Sequence, residues 1–166
     1  MAPDQILIAS VMFNSCHLKQ RKQRNRRFEA AAWLQSMVGS NLGIPCEPSE
    51  EEFRLCLRNG IILCNLLNKV QPGTVSKVVV NRVSAYQYFE NVQNFLASVK
   101  EMKLPTFEAS QLEQESLQLG STKKIVDCVL ALKACYEWKQ YGGPFEDSLV
   151  PRKTWNFLQQ STPMLK

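Results

Sequence analysis

Residues 123–136, KKIVDCVLALKACY, decide the fold of this chain. When this stretch is wound into a helix, apolar side chains occupy almost every side of it, which is typical of a helix at the centre of a bundle. Its β-branched residues are compatible with a strand, but the run is longer than most strands and its neighbours have helical periodicity. The sequence therefore predicts an all-α domain around a central, apolar C-terminal helix.

Two amphipathic helices are predicted upstream of the central helix. The first helix is indicated by an apolar stripe that begins near Arg26. It ends at Gly39, because glycine commonly follows a helix C-terminus. The second helix begins at Ser49, which forms a capping box with Glu52 three residues later. It ends at the Pro-Gly pair of residues 72–73.

Gly60 falls in the middle of the second helix, and a third helix follows. A glycine inside a helix costs about 1 kcal/mol relative to alanine, which is tolerable if another backbone approaches closely there. Ser84 and Gln87 form another capping box that opens the third helix, and Pro105 stops it. One short helical turn is expected within residues 107–112. The domain thus has about four main helices plus short ones.

Large side chains on these apolar stripes form the predicted core. We assign five of them to it: Trp33, Leu63, Phe95, Val126 and Leu132. The cysteines fit the same interpretation, because none of the six belongs to a Cys-x-x-Cys pair. Cys56 and Cys64, like Cys128 and Cys135, recur on one helix face among apolar residues, so we predict reduced core thiols.

The length of 166 residues suits one domain with tails. We predict a basic N-terminal extension over residues 1–25, a helical domain over 26–141, and a tail or linker over 142–166. The tail begins with Gly-Gly-Pro, which breaks the helical pattern.

The charge of the chain is concentrated near its start. Six of the 20 Lys and Arg residues lie between Lys19 and Arg27, and Asp4 is the only acid before Glu29. Residues 1–28 therefore hold the whole net charge of +5, and the remainder is neutral. Such a segment is attracted to nucleic acid, anionic lipid or an acidic filament, or it is a solvated extension of the first helix.

Most catalytic chemistry is excluded by the motifs that are missing. Residues 120–123, GSTK, lack the upstream glycine of a phosphate-binding loop, and the only histidine, His17, lies in the basic segment. A lone histidine outside the core provides neither the base for a nucleophile nor a zinc site. We therefore expect no enzyme activity, no cofactor, no metal and no small-molecule substrate.

The sequence also bears on location. No apolar run approaches the roughly 18 residues of a membrane-spanning helix. Asp4 stands ahead of the early apolar run, where a secretory signal would have basic residues. We expect an intracellular, cytoplasmic protein with no integral membrane segment.

Several stretches resemble the calponin-homology domain in their order and spacing. They are Trp33-Leu34, Asn59-Gly60, FENVQNFL at residues 89–96 and KIVDCVLAL at residues 124–132. The wider segments 48–73 and 104–110, with EWKQ at 137–140, are similar to the domain that heads plant kinesins of the minus-end-directed class. The resemblance covers residues 26–140.

This resemblance implies a compact calponin-homology bundle that binds actin filaments without catalysis and, in those kinesins, links actin to microtubules. It implies actin contacts on the first helix, the last main helix and nearby surface. Because actin is acidic, the candidates are the bases at matching positions: Arg26, Arg27, Lys69, Lys77, Lys123 and Lys124. The expected location is the cytoplasm, in association with the cytoskeleton.

Other functions stay open from the sequence. The same fold binds microtubules in end-binding proteins and acts as a scaffold elsewhere, so the fold alone does not identify the partner. Alternatively, the basic extension binds nucleic acid or acidic membrane while the helical body is passive. A kinesin would continue into a nucleotide-binding motor, so the sequence is compatible with a fragment or with a short, motorless relative.

Overall fold

A computed structural model describes residues 3–80, 85–113 and 122–141, and in these ranges the chain is helical with no strand. The helices are α1 (Pro3–Val38), α2 (Glu50–Leu57), α3 (Ile61–Val70), α4 (Ala85–Glu101), α5 (Ser110–Glu113) and α6 (Lys123–Gln140), with a 3-10 turn at Ser40–Leu42. The all-α prediction is confirmed. The tail from residue 142 onward and the cap residue Ser84 lie outside the described residues.

Helix α1 begins at Pro3, far ahead of the start predicted near Arg26, and it runs for 36 residues. No glycine or proline interrupts the sequence between Pro3 and Gly39, so nothing in the basic segment breaks the helix. The basic segment is therefore a continuation of the first helix. The helix ends where predicted, since Gly39 has φ of 93° and its N–H donates to the carbonyl of Gln35 at 3.0 Å.

The prediction of a single helix over residues 49–72 is wrong, because the chain forms two helices that are separated at Gly60. Gly60 has φ of 70°, a left-handed conformation that side chains rarely adopt. A Cβ at this position would lie 2.7 Å from Asn91 Cβ and 2.8 Å from the backbone nitrogen of Val92. The close approach of α4 thus requires glycine, and the same glycine ends α2 and starts α3.

Asn91 of α4 is fully buried at this contact and bonds to two other segments. Its Nδ2 donates to the carbonyls of Asn59 at 3.1 Å and Val79 at 2.9 Å, while its Oδ1 accepts from the N–H of Val79 at 3.0 Å. The Sγ of Cys64 donates to the Asn91 carbonyl at 3.2 Å. One side chain therefore holds the turn before α3 and the segment after it against α4.

Helix α4 ends at Glu101, four residues before the predicted stop at Pro105. Lys103 has φ of 57°, and the N–H of Leu104 donates to the carbonyl of Val99 at 3.2 Å. A left-handed residue with this bond reverses the chain at a helix C-terminus. The short turn expected within 107–112 is confirmed as α5, shifted toward its C-terminal side.

Helix α6 packs against α1 and α3, and α3 packs in addition against α4. The residues assigned to the core lie inside this arrangement: Leu63, Phe95 and Leu132 have no exposed surface, Val126 is 3% exposed and Trp33 is 8% exposed. The Trp33 and Tyr136 rings join α1 to α6, with centroids 6.3 Å apart. The last helix therefore contributes to the core as predicted, although α3, which packs against α1, α2, α4 and α6, has more α-helical neighbours than α6.

Replacing Asn91 with alanine removes three hydrogen bonds and leaves buried backbone groups of Asn59 and Val79 without this partner. We expect the free energy of unfolding to fall by about 2–4 kcal/mol, measured by urea denaturation. The control is Asn94→Ala in the same helix, where the side chain is exposed. Equal effects of the two substitutions would contradict the role of Asn91.

Replacing Trp33 with alanine leaves a cavity between α1 and α6. We expect a loss of about 3–5 kcal/mol in the free energy of unfolding. The exposed Asn25 in the same helix gives the control, Asn25→Ala. A thermal melt unchanged by Trp33→Ala would be incompatible with this packing.

Candidate functional site

An ion cluster joins α1 to the start of α6. The carboxylate of Asp127 lies 2.6 Å from Arg26 Nη1 and 2.8 Å from Lys123 Nζ, through its two different oxygens. The Lys123 side chain is 52% exposed, and Arg26 and Asp127 are each about one-quarter exposed. The nearby Glu50, which lines a small pocket with Arg26 and Lys123, is paired with Arg27. Two cations share Asp127 and one pairs with Glu50, so three cations face two anions and the cluster keeps a net positive charge.

Lys124 adds a further cation beside this cluster. Its side chain is exposed, and it has no ion pair within the described part of the chain. Farther along the contact between α1 and α6, Lys133 of α6 bonds Glu29 of α1 at 2.7 Å and lies 3.9 Å from Glu137. The surface along the contact between α1 and α6 is therefore most basic at the start of α6, and acidic side chains neutralise its positive charge toward the middle of α6.

Arg27 is next to Arg26 in sequence but has a different environment. It is only 8% exposed, its Nε donates to the carbonyl of Pro48 at 2.8 Å, and its Nη1 lies 3.6 Å from Glu50 Oε1. Burial lowers the pKa of the Arg27 guanidinium, while the carboxylate of Glu50 acts in the opposite direction. Arg27 ties α1 to the start of α2, so we remove it from the candidate contact residues.

The candidate Lys69 lies in a different region of the domain from Lys123. Lys69 is in the last turn of α3, and the neighbouring carbonyl of Val70 accepts from Lys139 Nζ near the end of α6 at 3.5 Å. The distance along α6 from Lys123 to Lys139 is about 24 Å at 1.5 Å per residue. The structure thus places Lys69 near the opposite end of α6 from Lys123.

Lys77 lies on the loop that follows α3, and its side chain is exposed. Asn68 holds the beginning of this loop through two bonds to Val75, of 2.9 and 3.0 Å, and Asn91 holds Val79. The backbone around Lys77 is therefore fixed at both sides, although its side chain is free to reach a partner.

The described surface includes a groove beside α1. This groove, formed by described residues, has a volume of about 660 Å³ and is lined by Glu50 and by nine residues of α1 between Cys16 and Arg27. In the same part of the chain, no group of three or more His, Cys, Asp or Glu side chains could hold a metal ion. No described helix has both the length and the apolar character needed to cross a membrane.

The buried cysteines are poor nucleophiles. Burial raises the pKa of Cys64 to about 11 and that of Cys128 to about 12, with the carboxylate of Asp127 adding to the effect at Cys128. Both thiols therefore stay protonated near neutral pH. All six cysteines are free, and Cys64, Cys128 and Cys135 are buried, in agreement with the core role predicted for them, whereas Cys56 is only partly buried against the core.

Sequence reasoning missed Asp127 and Asn91. Asp127 follows Lys123 by four residues, a spacing that predicts an ion pair on a helix surface. No comparable local signal identifies the link from Asp127 to Arg26, because these residues are distant in sequence. Asn91 likewise bonds residues that only the folded chain brings together.

Comparison with known proteins gives a consistent result. The calponin homology (CH) domain family matches residues 24–138. Kinesin-like protein KIN-14L of Arabidopsis thaliana is 52% identical over 136 residues, which cover 76% of this chain and 14% of that protein. Kinesin-like protein KIN-14A of Oryza sativa subsp. japonica is 49% identical over 144 residues, covering 81% of this chain and 15% of that protein.

A third relative, kinesin-like protein KIN-14G of Arabidopsis thaliana, is 54% identical over 155 residues, covering 82% of this chain and 15% of that protein. The chain thus spans only about 15% of the length of these curated relatives. No solved structure gives a significant match.

Replacing Arg27 with alanine removes its bond to Pro48 and its ion pair with Glu50. We expect the free energy of unfolding to fall by about 1–3 kcal/mol, because the groups that Arg27 bonds are partly buried. Arg24→Ala in the same helix should change it by less than about 0.5 kcal/mol, because Arg24 is exposed. Urea denaturation measures both, and similar results for the two would show that Arg27 has no structural role.

Proposed function

The chain belongs to the calponin-homology domain family, and on this basis we propose that it is a non-catalytic cytoskeleton-binding module whose partner is the actin filament. Actin binding is typical of such domains. The observation that carries the proposal is the combination of family membership with the exposed basic cluster where α6 begins against α1.

The proposed contact surface consists of Arg26, Lys123 and Lys124. The ion pairs with Asp127 orient the side chains of Arg26 and Lys123, so these two side chains are held in place before a partner binds. Because Lys124 forms no ion pair with another described residue, its positive charge can interact with a partner. An acidic filament surface would be attracted to this arrangement, and such complementarity mainly accelerates association and selects the orientation of the partner.

Lys69 and Lys77 form a second proposed contact region beyond α3. Because Lys69 lies near the opposite end of α6 from Lys123, one flat partner need not touch both regions. A filament repeats its subunits, however, and offers a surface much longer than α6. We therefore treat these lysines as additional contacts, and the start of α6 as the primary one.

The relatives are named kinesin-like proteins, and this chain covers a small part of each. We infer that the domain acts within a kinesin-type protein and links actin to microtubules there, in association with the cytoskeleton in the cytoplasm. Microtubule binding or scaffolding by the domain itself is the competing function, and the same assay distinguishes it.

Co-sedimentation with actin filaments tests the proposal. We expect the wild-type chain to pellet with filaments at low salt and less at about 0.3 M salt, because exposed charges are screened. Lys124→Glu should weaken binding by about three- to tenfold without changing stability. Lys100→Glu makes the same charge change on an exposed lysine of α4 and should bind like the wild type.

Three results would contradict the proposal. They are no pelleting with actin at low salt, pelleting with microtubules instead of actin, and equal losses for Lys124→Glu and Lys100→Glu. The double variant Lys19→Glu with Lys22→Glu distinguishes the helical body from the N-terminal part of α1. If that variant alone abolished actin binding, the basic segment and not the start of α6 would be the site.

A further inference from the structure

The N-terminal half of α1 exposes an unusual number of large apolar side chains. These are Ile6, Leu7, Ile8, Val11, Met12, Phe13 and Leu18, which are 58–68% exposed. None belongs to the core cluster or to the half-buried side chains packed against it, among the residues that the structure describes. Scattered exposed apolar residues are ordinary, but a continuous set marks an interaction site. We call residues 6–18 the apolar segment.

The apolar side chains are distributed around the helix. Successive residues of an α-helix are rotated by about 100°, so Val11 and Phe13 point about 160° apart. Leu18 shares the side of Val11, while Ile6 shares the side of Phe13. A second helix or a protein groove covers one stripe of a helix. Fluid acyl chains can surround more of the circumference, because they adapt to the shape of the helix.

Four cations follow the apolar segment directly: Lys19, Arg21, Lys22 and Arg24. None of them forms an ion pair with another described residue. At 1.5 Å per residue, all four lie within about 10 Å of the end of the apolar segment. A basic cluster next to exposed apolar residues matches a bilayer surface, where anionic headgroups lie directly above the acyl chains.

Other partners use only part of this arrangement. Nucleic acid would bind the cations but gives the apolar segment no role. A second copy of the chain could cover one apolar stripe, but parallel pairing would bring two basic clusters together. Antiparallel pairing avoids this repulsion, yet it still leaves either the Val11 side or the Phe13 side in water.

We propose that residues 4–24 of α1 bind the surface of membranes that contain anionic lipid. The apolar segment inserts among the upper acyl chains, and the four cations bind the headgroups. Because its apolar side chains surround the helix, the apolar segment enters the acyl chains obliquely, with more than one side covered. No described helix has the length and apolar character needed to cross the membrane. The proposal does not depend on filament binding, since the primary actin contacts lie at the start of α6.

Vesicle flotation with the full chain tests the inference. One vesicle set contains phosphatidylcholine alone, and the other contains phosphatidylcholine with about 30% phosphatidylserine. We expect at least about tenfold more binding to the anionic vesicles at low salt, and most of the difference should disappear at about 0.5 M salt. Lys19→Glu with Lys22→Glu should abolish the preference, while Lys100→Glu with Lys103→Glu should retain it.

The apolar contribution is tested without changing charge. Val11→Ser with Phe13→Ser should reduce binding to anionic vesicles by about tenfold, whereas Ser10→Ala with Asn14→Ala, which retains every large apolar group, should not reduce it. All four residues are exposed, so the helical body should keep its thermal stability in both variants. Actin co-sedimentation with the same variants separates failure of this inference from failure of the proposed function.

Three outcomes would overturn the inference. Equal binding to both vesicle types would remove the role of anionic lipid. Full binding by the Val11→Ser, Phe13→Ser variant would show adsorption by charge alone. A dimer that light scattering detects without lipid, and that this variant converts to a monomer, would assign the apolar segment to a second copy of the chain.

Discussion

The contact between Gly60 and Asn91 is the constraint on which the rest of the domain depends. Helix α3 starts so close to α4 that a Cβ at Gly60 would overlap the helix beside it. The amide of Asn91 then holds both the turn before α3 and Val79 in the segment that follows α3. With α3 and α4 held together in this way, α3 also packs on α1 and α6, and the core closes around these helices.

The two neighbouring arginines of α1 show how packing separates a buried charge from an accessible one. Arg27 points toward α2, where burial and bonds to Pro48 and Glu50 hold it inside the domain. Arg26 points toward α6, where it shares Asp127 with Lys123 and remains partly exposed. A rotation of about 100° between consecutive residues is sufficient for this separation. The start of α2 thus buries Arg27, while α6 leaves Arg26 partly exposed.

Helix α1 also connects two regions of different chemical character. Its C-terminal half contributes Ala30, Ala31, Trp33 and Leu34 to the core, whereas its N-terminal half has no described partner for its apolar side chains. The basic residues lie between these regions. A continuous helix lets one element serve both a packed domain and an exposed surface, because packing of the C-terminal half stabilises the first turns and each further residue then adds one helical hydrogen bond.

The sequence by itself determined the helical class, the burial of apolar residues within 123–136 and the core role of side chains such as Leu63 and Phe95. These features depend on apolar periodicity, which is local. It also predicted the Ser49–Glu52 capping box, which forms with bonds of 2.8 and 3.1 Å. Only the tertiary structure decided that Gly60 separates two helices, that Arg27 is buried while Arg26 is accessible, and that Asp127 joins α6 to α1. Each of these depends on a contact between residues distant in the chain, and a local pattern carries no information about such a contact.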